Sequence, residues 1–469
     1  MTSPRATPVR PTPRVGPIAV PMFVEMTLAI GVGMVCTALA ASVSDVAGAA
    51  FAMANHVFSM LFILFRVVGA GLGVVVAQSL GSGRRELADD VARATLGAST
   101  WLGLATGLCA LLGATPLLQA LNAPAAVQVL AAPLLQALAP AMVLDAWNAS
   151  MSSVLRSHLR AQEALRVIVL TQTVQVGLAL WWMPSAGLGW GLLGYAAALC
   201  VSRVVGIVAH LWLWREQLQL RPQWSDAWRL RWRSLAEVVR IGLPGAAENV
   251  AYRSAFVVSV AVVGSMGASA LATQAYVLQI SYIAIMASLA VGLSTEIVVG
   301  HLVGAGQLHE AHRVVRKSLA TGLVLSVSVA TVAALSGPWL LRGFSQDPDL
   351  LAQGAMLLWW TVLLEPGRTF NLVVINALRA AGDARYPVMA GAASMAVILA
   401  GGSWLLGQVW GFGLVGVWIA YAADEWCRGL LMWRRWVQLK WVPSARAAHR
   451  RVRRERWAYA EPESAPLSR

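Results

Sequence analysis

Apolar stretches of twenty or more residues recur along this chain from end to end, separated by short polar breaks rich in glycine, proline and arginine. A run of that length crosses the roughly 30 Å hydrocarbon core of a bilayer as a helix. The breaks predict about twelve spans, near 17–43, 47–79, 93–114, 125–154, 166–184, 190–213, 240–263, 270–302, 318–337, 351–378, 387–405 and 413–434. No ten-residue alternation of apolar and polar positions runs through them, which argues against an outer-membrane barrel. The expected fold class is an all-α polytopic membrane protein of about twelve transmembrane helices.

The longest polar connection, Arg215 to Arg240, contains Q-W-S-D-A-W-R-L-R-W-R and suits a segment lying along lipid headgroups. It divides the chain into a disordered cytoplasmic tail 1–16, an N-lobe 17–213, a cytoplasmic linker 214–239, a C-lobe 240–436 and a basic cytoplasmic tail 437–469. The lobes repeat. P-M-F-V-E, ending at Glu25, matches P-G-A-A-E, ending at Glu248, 223 positions later. G-S-G-R-R-E-L-A from Gly81 matches G-A-G-Q-L-H-E-A from Gly304, and Asn148 matches Asn371, all at that spacing of 223. Leu155-Arg156 likewise matches Leu378-Arg379. Six spans per repeat is an even number, so the lobes share orientation and are related by a pseudo-two-fold axis along the membrane normal. Repeats of this kind place a cleft between them.

Composition supports the membrane reading: 58% of the 469 residues are hydrophobic and 12% charged, and mean hydropathy is +0.64. The formal net charge of +14 would suggest nucleic acid in a soluble protein. Here the arginines cluster in alternate loops, while those around Thr115–Ala125, Pro184–Trp190, Gly264–Ser269 and Gln408–Gly413 carry no Lys or Arg. That positive-inside pattern places both termini in the cytoplasm and explains the surplus by topology and anionic lipid. The four cysteines, Cys36, Cys109, Cys200 and Cys427, lie far apart in apolar segments and are expected to be buried small hydrophobes. The proline- and arginine-rich N-terminus lacks the short apolar core and cleavage site of a signal peptide.

The segment E-P-G-R-T-F-N-L-V-V-I-N-A-L-R-A-A-G-D-A-R-Y-P, Glu365 to Pro387, carries the strongest candidate chemistry. Glu365 and Arg368 share a helix face, and Pro366-Gly367 between them predicts an interrupted helix lining a cavity. Glu365 lies fourteen residues from Arg379, or about 20 Å, which puts it near mid-bilayer. An ion pair there is either a switch that a proton or cation disturbs, or a lock between spans. Glu25 and Glu248, roughly 12 Å deep, are candidates for cation coupling or substrate attraction; capping or inter-helix hydrogen bonds are the structural alternative. Asn371, Asn148 and Asp145 suit either a polar lining or inter-helix hydrogen bonding. Arg66, Arg203, Arg253 and His56 are embedded bases, with Asp45 and Glu296 among the further acids available to them. Asp424, Glu425 and Arg428 in the last span suit a bridge between helices or a gate. Pro21 is read either as a bending point of the first span or as a first-turn proline.

The twelve spans, the two G-x-G loops, L-R-A-A-G-D-A-R-Y-P after the tenth span and A-D-E-W-C-R-G-L-L in the last resemble the multidrug and toxic compound extrusion (MATE) family, from Pro17 to about Trp436. The resemblance implies a secondary antiporter, a monomer of the bacterial inner membrane, that exports organic cations or amphipathic compounds against inward H⁺ or Na⁺. Its two lobes would rock about a central cleft. It implies neither cofactor nor nucleic-acid partner. Many relatives carry an aspartate fifteen residues after the proline of span one, and an Asn and an Asp in span five. Here those places fall on Cys36, Gln175 and Ala179, so that N-lobe coupling site does not transfer. Coupling then rests on Glu25, Glu248 and Glu365. A lipid-linked precursor flippase is the second reading, since Arg66, Arg203, Arg253 and Arg368 suit a pyrophosphate. An enzyme is not expected: the seven histidines are scattered, and no Walker or zinc pattern occurs.

Overall fold

A computed structural model describes residues 13–62, 65–184 and 187–458. The N-terminal tail lies largely outside them, and the first helix begins at Gly16. The N-lobe is built from α1 (Gly16–Val43), α2 (Asp45–Phe62), α3 (Phe65–Gly81), α4 (Arg85–Ala120), α5 (Ala125–Ala137), α6 (Ala139–Ser157), α7 (Ala161–Trp182) and α8 (Gly191–Gln217). A 3₁₀ turn at Trp224–Ala227 leads to the C-lobe: α9 (Trp232–Ser265), α10 (Ala268–Gly304), α11 (Leu308–Leu335), α12 (Gly337–Arg342), α13 (Pro348–Ala380), α14 (Arg385–Ser394) and α15 (Gly413–Val437). A last helix, α16 (Val442–Ala458), occupies the basic tail. Among the described residues nine helices are by themselves long and apolar enough to cross a membrane, and the pair α5–α6 makes a tenth. The charge-bearing α13 and α15 complete twelve spans, in two six-span lobes related by a pseudo-two-fold axis along the membrane normal.

Four expectations change. The span near 125–154 is a broken one, bent by 48° where α6 restarts; Pro140 sits in its first turn, where its missing N–H costs nothing. Pro21 lies inside α1, and Pro17 takes the first-turn place instead. The interruption at Pro366-Gly367 does not form, because α13 runs through both residues. Contacts with Trp426 of α15 hold it together: a Cβ at Gly367 would meet the Trp426 indole at 2.7 Å, and the Leu363 carbonyl, in the turn before Pro366, accepts from Trp426 Nε1 at 2.9 Å. Cys109 is exposed, while Cys36 is buried; Cys109 shares an outward face of α4 with Leu104, Leu108 and Leu112. After α14 the eleventh span continues through two π-helical stretches, Met395–Gly401 and Ser403–Val409.

The loops obey the 223-residue repeat in backbone as well as sequence. Gly83 and Gly306 both have positive φ, at 81° and 77°. Gly382 has φ 83°, and its repeat mate Leu159 is forced to 62°, a left-handed conformation that costs a side chain about 1–2 kcal/mol. Alanine at Gly382 is therefore expected to lower thermal stability in detergent by about 1 kcal/mol, and Leu159→Gly to leave it unchanged or raise it. A melting curve of each variant checks both signs.

The lobes meet through α3 against α9 and α10, and through α1 against α10. These contacts gather at the helix ends that carry the arginine-rich loops, the basic face. A Cβ at Gly81 would lie 2.0 Å from the His301 carbonyl oxygen, and one at Gly304 2.0 Å from that of Gln78, so backbones touch where α3 and α10 cross. Gln78 and His301 are repeat mates, and each reaches into the other lobe. Gln78 Nε2 donates to the Ala380 carbonyl at 2.8 Å, and His301 Nε2 donates to the Ser157 carbonyl at 2.8 Å. Ser157 and Ala380 are themselves repeat mates. α16 lies over this seam, with His449 Nδ1 donating to the Gly304 carbonyl at 2.8 Å and Trp441 stacked on Trp436.

Candidate functional site

Each lobe buries a polar network, and the C-lobe network is the larger. Turns of α13 and α15 face one another, so residues spaced three or four apart on each helix form one row. Arg368 Nη1 lies 2.5 Å from Glu365 Oε1, and Arg368 Nε lies 3.2 Å from Glu425 Oε1. Arg428 Nη2 bridges Glu425 Oε2 at 3.0 Å and Asp424 Oδ2 at 2.7 Å. Asn371 Nδ2 donates to Glu425 Oε2 at 3.0 Å, and Ser394 Oγ from α14 donates to Asp424 Oδ1 at 2.6 Å. The Tyr252 ring of α9 lies 5.9 Å from the Arg428 guanidinium.

Three carboxylates thus meet two guanidiniums, leaving one negative charge in excess. Glu365 is 0% exposed. Its Oε2 has no hydrogen-bond partner among the described residues, and neither has Asn371 Oδ1. In a low-dielectric interior an uncompensated carboxylate oxygen of this kind calls for a proton or a cation.

Glu25 and Glu248 are not helix caps. Glu25 accepts both of its carboxylate contacts from Arg156 Nη1, at 2.9 and 3.0 Å, and Glu248 pairs with Arg379. All four sit at matching places in the repeat, so one ion pair is built twice. Glu296, buried on α10, adds its field to Arg379. A Cβ at Gly391 would touch both Arg428 and Glu248 at 3.9 Å. The C-lobe polar groups therefore form one thread from Glu365 toward the basic face.

The N-lobe answers with reversed polarity. Asp145 stands at the repeat position of Arg368, and Arg203 of α8 pairs with it. Arg203 Nη1 also donates to Gln175 Oε1 at 3.3 Å, and Gln175 Nε2 approaches Cys36 Sγ at 3.9 Å. Asn148 Nδ2 donates to the Arg203 carbonyl at 2.9 Å, while His210 lies against Asn148 Oδ1 at 3.1 Å and Ser152 Oγ at 2.9 Å. Cys36 and Gln175 are thus adjacent, and the ion pair beside them is Arg203 with Asp145.

His56, Asp45 and Arg253 are exposed and join neither network; the side chain of Arg66 lies outside the described residues. Sequence reading left Asp424, Glu425 and Arg428 apart from Glu365–Arg368, and it passed over Gln78 and His301. The second omission had a signal, since both occupy one repeat position although their side chains differ.

A family model described as MatE matches residues 21–181 and 244–405. An uncharacterized transporter, YisQ of Bacillus subtilis (strain 168), is 29% identical over 433 residues, covering 91% of this chain and 94% of the relative. A probable multidrug resistance protein NorM of Thermotoga maritima is 24% identical over 451 residues, covering 93% and 94%. Among solved structures, an outward-facing conformation of a multidrug resistance MATE family transporter superposes with TM-score 0.83 at 18% identity, covering 92% of this chain and 96% of that one. A Pyrococcus furiosus transporter of the MOP superfamily, described as having reversed binding-pocket polarity, gives TM-score 0.81 at 19% identity, with the same coverage of 92% and 96%.

Proposed function

The chain belongs to the MatE family, the multidrug and toxic compound extrusion transporters, and from that premise we propose an ion-coupled antiporter of the bacterial inner membrane that exports amphipathic organic compounds, organic cations among them. With the basic face in the cytoplasm, as the arginine distribution favours, both termini are cytoplasmic and the lobes are closed on that side. The cleft between them then opens outward. The observation that carries the reading is the excess carboxylate of the C-lobe network. Among the described residues the bases paired with Glu365, Glu425 and Asp424 are Arg368 and Arg428, so these five groups are neutral with one H⁺ or Na⁺ aboard.

Loading and unloading that charge biases the packing of α13 against α15, and through it the angle between the lobes. An ion shifts such an equilibrium only by its differential affinity for the two states. Burial of the network here, with its opening in the other state, supplies that difference. The Glu25–Arg156 and Glu248–Arg379 pairs stand nearer the basic face, where they hold α1 to α6 and α9 to α13 while the lobes rock. Pro21, inside α1, is a place for that helix to bend.

A lipid-linked precursor flippase would gather arginines on the cleft. Arg203 and Arg368 are instead held by acids of their own lobes, which favours the antiporter. The test is uptake of a fluorescent organic cation or zwitterion into inverted vesicles, with a pH gradient and a Na⁺ gradient imposed separately. Uptake driven by one of them establishes the antiport and names the ion. Uptake under neither sinks it.

A further inference from the structure

Five arginines embedded in the spans are held by carboxylates of their own lobe: Arg156, Arg203, Arg368, Arg379 and Arg428. Arg253 of α9 is not. Its side chain is exposed, and no carboxylate among the described residues pairs with it. It lies twelve residues before the end of α9 at Ser265, about 18 Å in. A guanidinium at that depth is tolerated where it faces water in a cavity rather than lipid.

The repeat says which way it faces. Asn249, one turn before Arg253, is the repeat mate of Met26 on α1, and Met26 packs against a cluster that residues of both lobes build where α1 meets α10. On α9 itself Val238, whose carbonyl would lie 1.9 Å from a Cβ at Gly71 of α3, stands fifteen residues before Arg253 and about 60° from it around the helix. The face that meets the N-lobe near the basic end therefore continues outward to Arg253, where the lobes have parted. The same reasoning turns Tyr282 of α10 toward the N-lobe. It is 43% exposed and five helical turns from Gly300, which packs on Ala77 of α3. Tyr282 is fourteen residues from the outer end of α10 at Ala268, about 21 Å in, close to the height of Arg253.

The acids of the C-lobe spans give the cleft no counterweight. Glu248, Glu296, Glu365, Asp424 and Glu425 are all buried. We infer that the cleft recognises an oxyanion group, the carboxylate of an amphipathic solute, held by the Arg253 guanidinium with the Tyr282 phenol beside it. The inference rests on the export reading and narrows it: the compounds carried bear an anionic group, alone or beside a cationic one.

The probes are rhodamine B, which has a free carboxylate, and its ethyl ester, which has the same aromatic body without it. Each is followed by gradient-driven uptake into inverted vesicles and by fluorescence anisotropy on the purified protein. Arg253→Gln is expected to weaken rhodamine B binding about tenfold or more, the value of a charge-assisted hydrogen bond, and to leave the ester unchanged. Arg253→Lys should retain most of the binding, and Tyr282→Phe should lose less than Arg253→Gln. Equal effects of Arg253→Gln on both dyes, or absence of rhodamine B binding to the wild type, overturn the inference.

Ester uptake that persists with no preference for the acid leaves the antiporter standing without this site. Failure of both gradients to drive either dye removes the antiporter, while the anisotropy comparison still decides the site. Phosphatidylglycerol is titrated against bound dye, with phosphatidylcholine as control. Displacement by phosphatidylglycerol alone, lost in Arg253→Gln, would assign the site to a lipid phosphate and overturn the assignment to a solute.

Discussion

Alanine at Gly304 is expected to abolish net export while the protein still inserts and remains monodisperse. The added methyl would lie 2.0 Å from the Gln78 carbonyl oxygen, and backbone cannot rotate out of its way. To admit it, α3 and α10 must separate by more than an ångström at the crossing that closes the basic face. Overpacking of this kind costs about 1–3 kcal/mol, enough to shift a two-state equilibrium roughly fivefold to 150-fold. In the proposed rocking cycle the cost falls on one state alone, since the two backbones would separate as the lobes close on the other side. Gly81→Ala, whose methyl would meet the His301 carbonyl at 2.0 Å, should give the same result from the other lobe. Loss of the Gln78–Ala380 and His301–Ser157 hydrogen bonds would accompany either.

The measurement is thiol labelling of a single cysteine at Ala77, in a background with the four natural cysteines replaced. Ala77 is fully buried on α3 beside Gly300, so labelling from the basic side should rise at least about fivefold in either variant. Normal export with unchanged labelling would mean that this crossing is no part of the working cycle.

Much of this arrangement was legible before any coordinate. The arginine-bearing loops and the 223-residue spacing define twelve spans, two lobes and a common orientation, because hydropathy and charge act residue by residue. Pairing is another matter. Arg368 reaches Glu425, 57 positions away, and Asp145 meets Arg203 on a different helix; which faces of two helices meet is settled by packing. The Glu25–Arg156 and Glu248–Arg379 pairs were within reach, since the same two landmarks recur at one spacing. Gln78 and His301 escaped because the repeat keeps their hydrogen bond while changing the side chain. The expected break at Pro366-Gly367 failed for a physical reason. Proline and glycine weaken a helix locally, but burial of α13 between α10, α11 and α15 leaves the chain no solvated alternative, and the glycine instead admits Trp426.

Glutamine at Glu365 is expected to end gradient-driven export, reducing it at least about a hundredfold, with little loss of stability. The stability argument follows from the partners. Arg368 keeps Glu425 at 3.2 Å when Glu365 is neutralised, so no guanidinium is stranded. Arg368→Met, by contrast, strands the buried Glu365 and leaves Glu425 with Arg428 as its one base, and removing one partner of a buried pair costs about 3–5 kcal/mol. That variant should melt markedly lower or fail to accumulate.

The functional argument follows from the charge count. With glutamine at 365, two carboxylates remain against two guanidiniums, and the network is neutral without an ion. Glu365→Gln thus imitates the loaded form permanently. It should still bind substrate, with an affinity that no longer changes when the coupling ion is varied, and it should not complete a cycle that requires unloading. Uptake into inverted vesicles under each gradient, set beside equilibrium binding at two concentrations of the coupling ion, separates this from misfolding, which would remove both. Export at the wild-type rate and coupling would take Glu365 out of the mechanism. The repeated Glu25 and Glu248 are already neutralised by their arginine partners, so the acid left in excess would be Glu296, buried beside the Glu248–Arg379 pair.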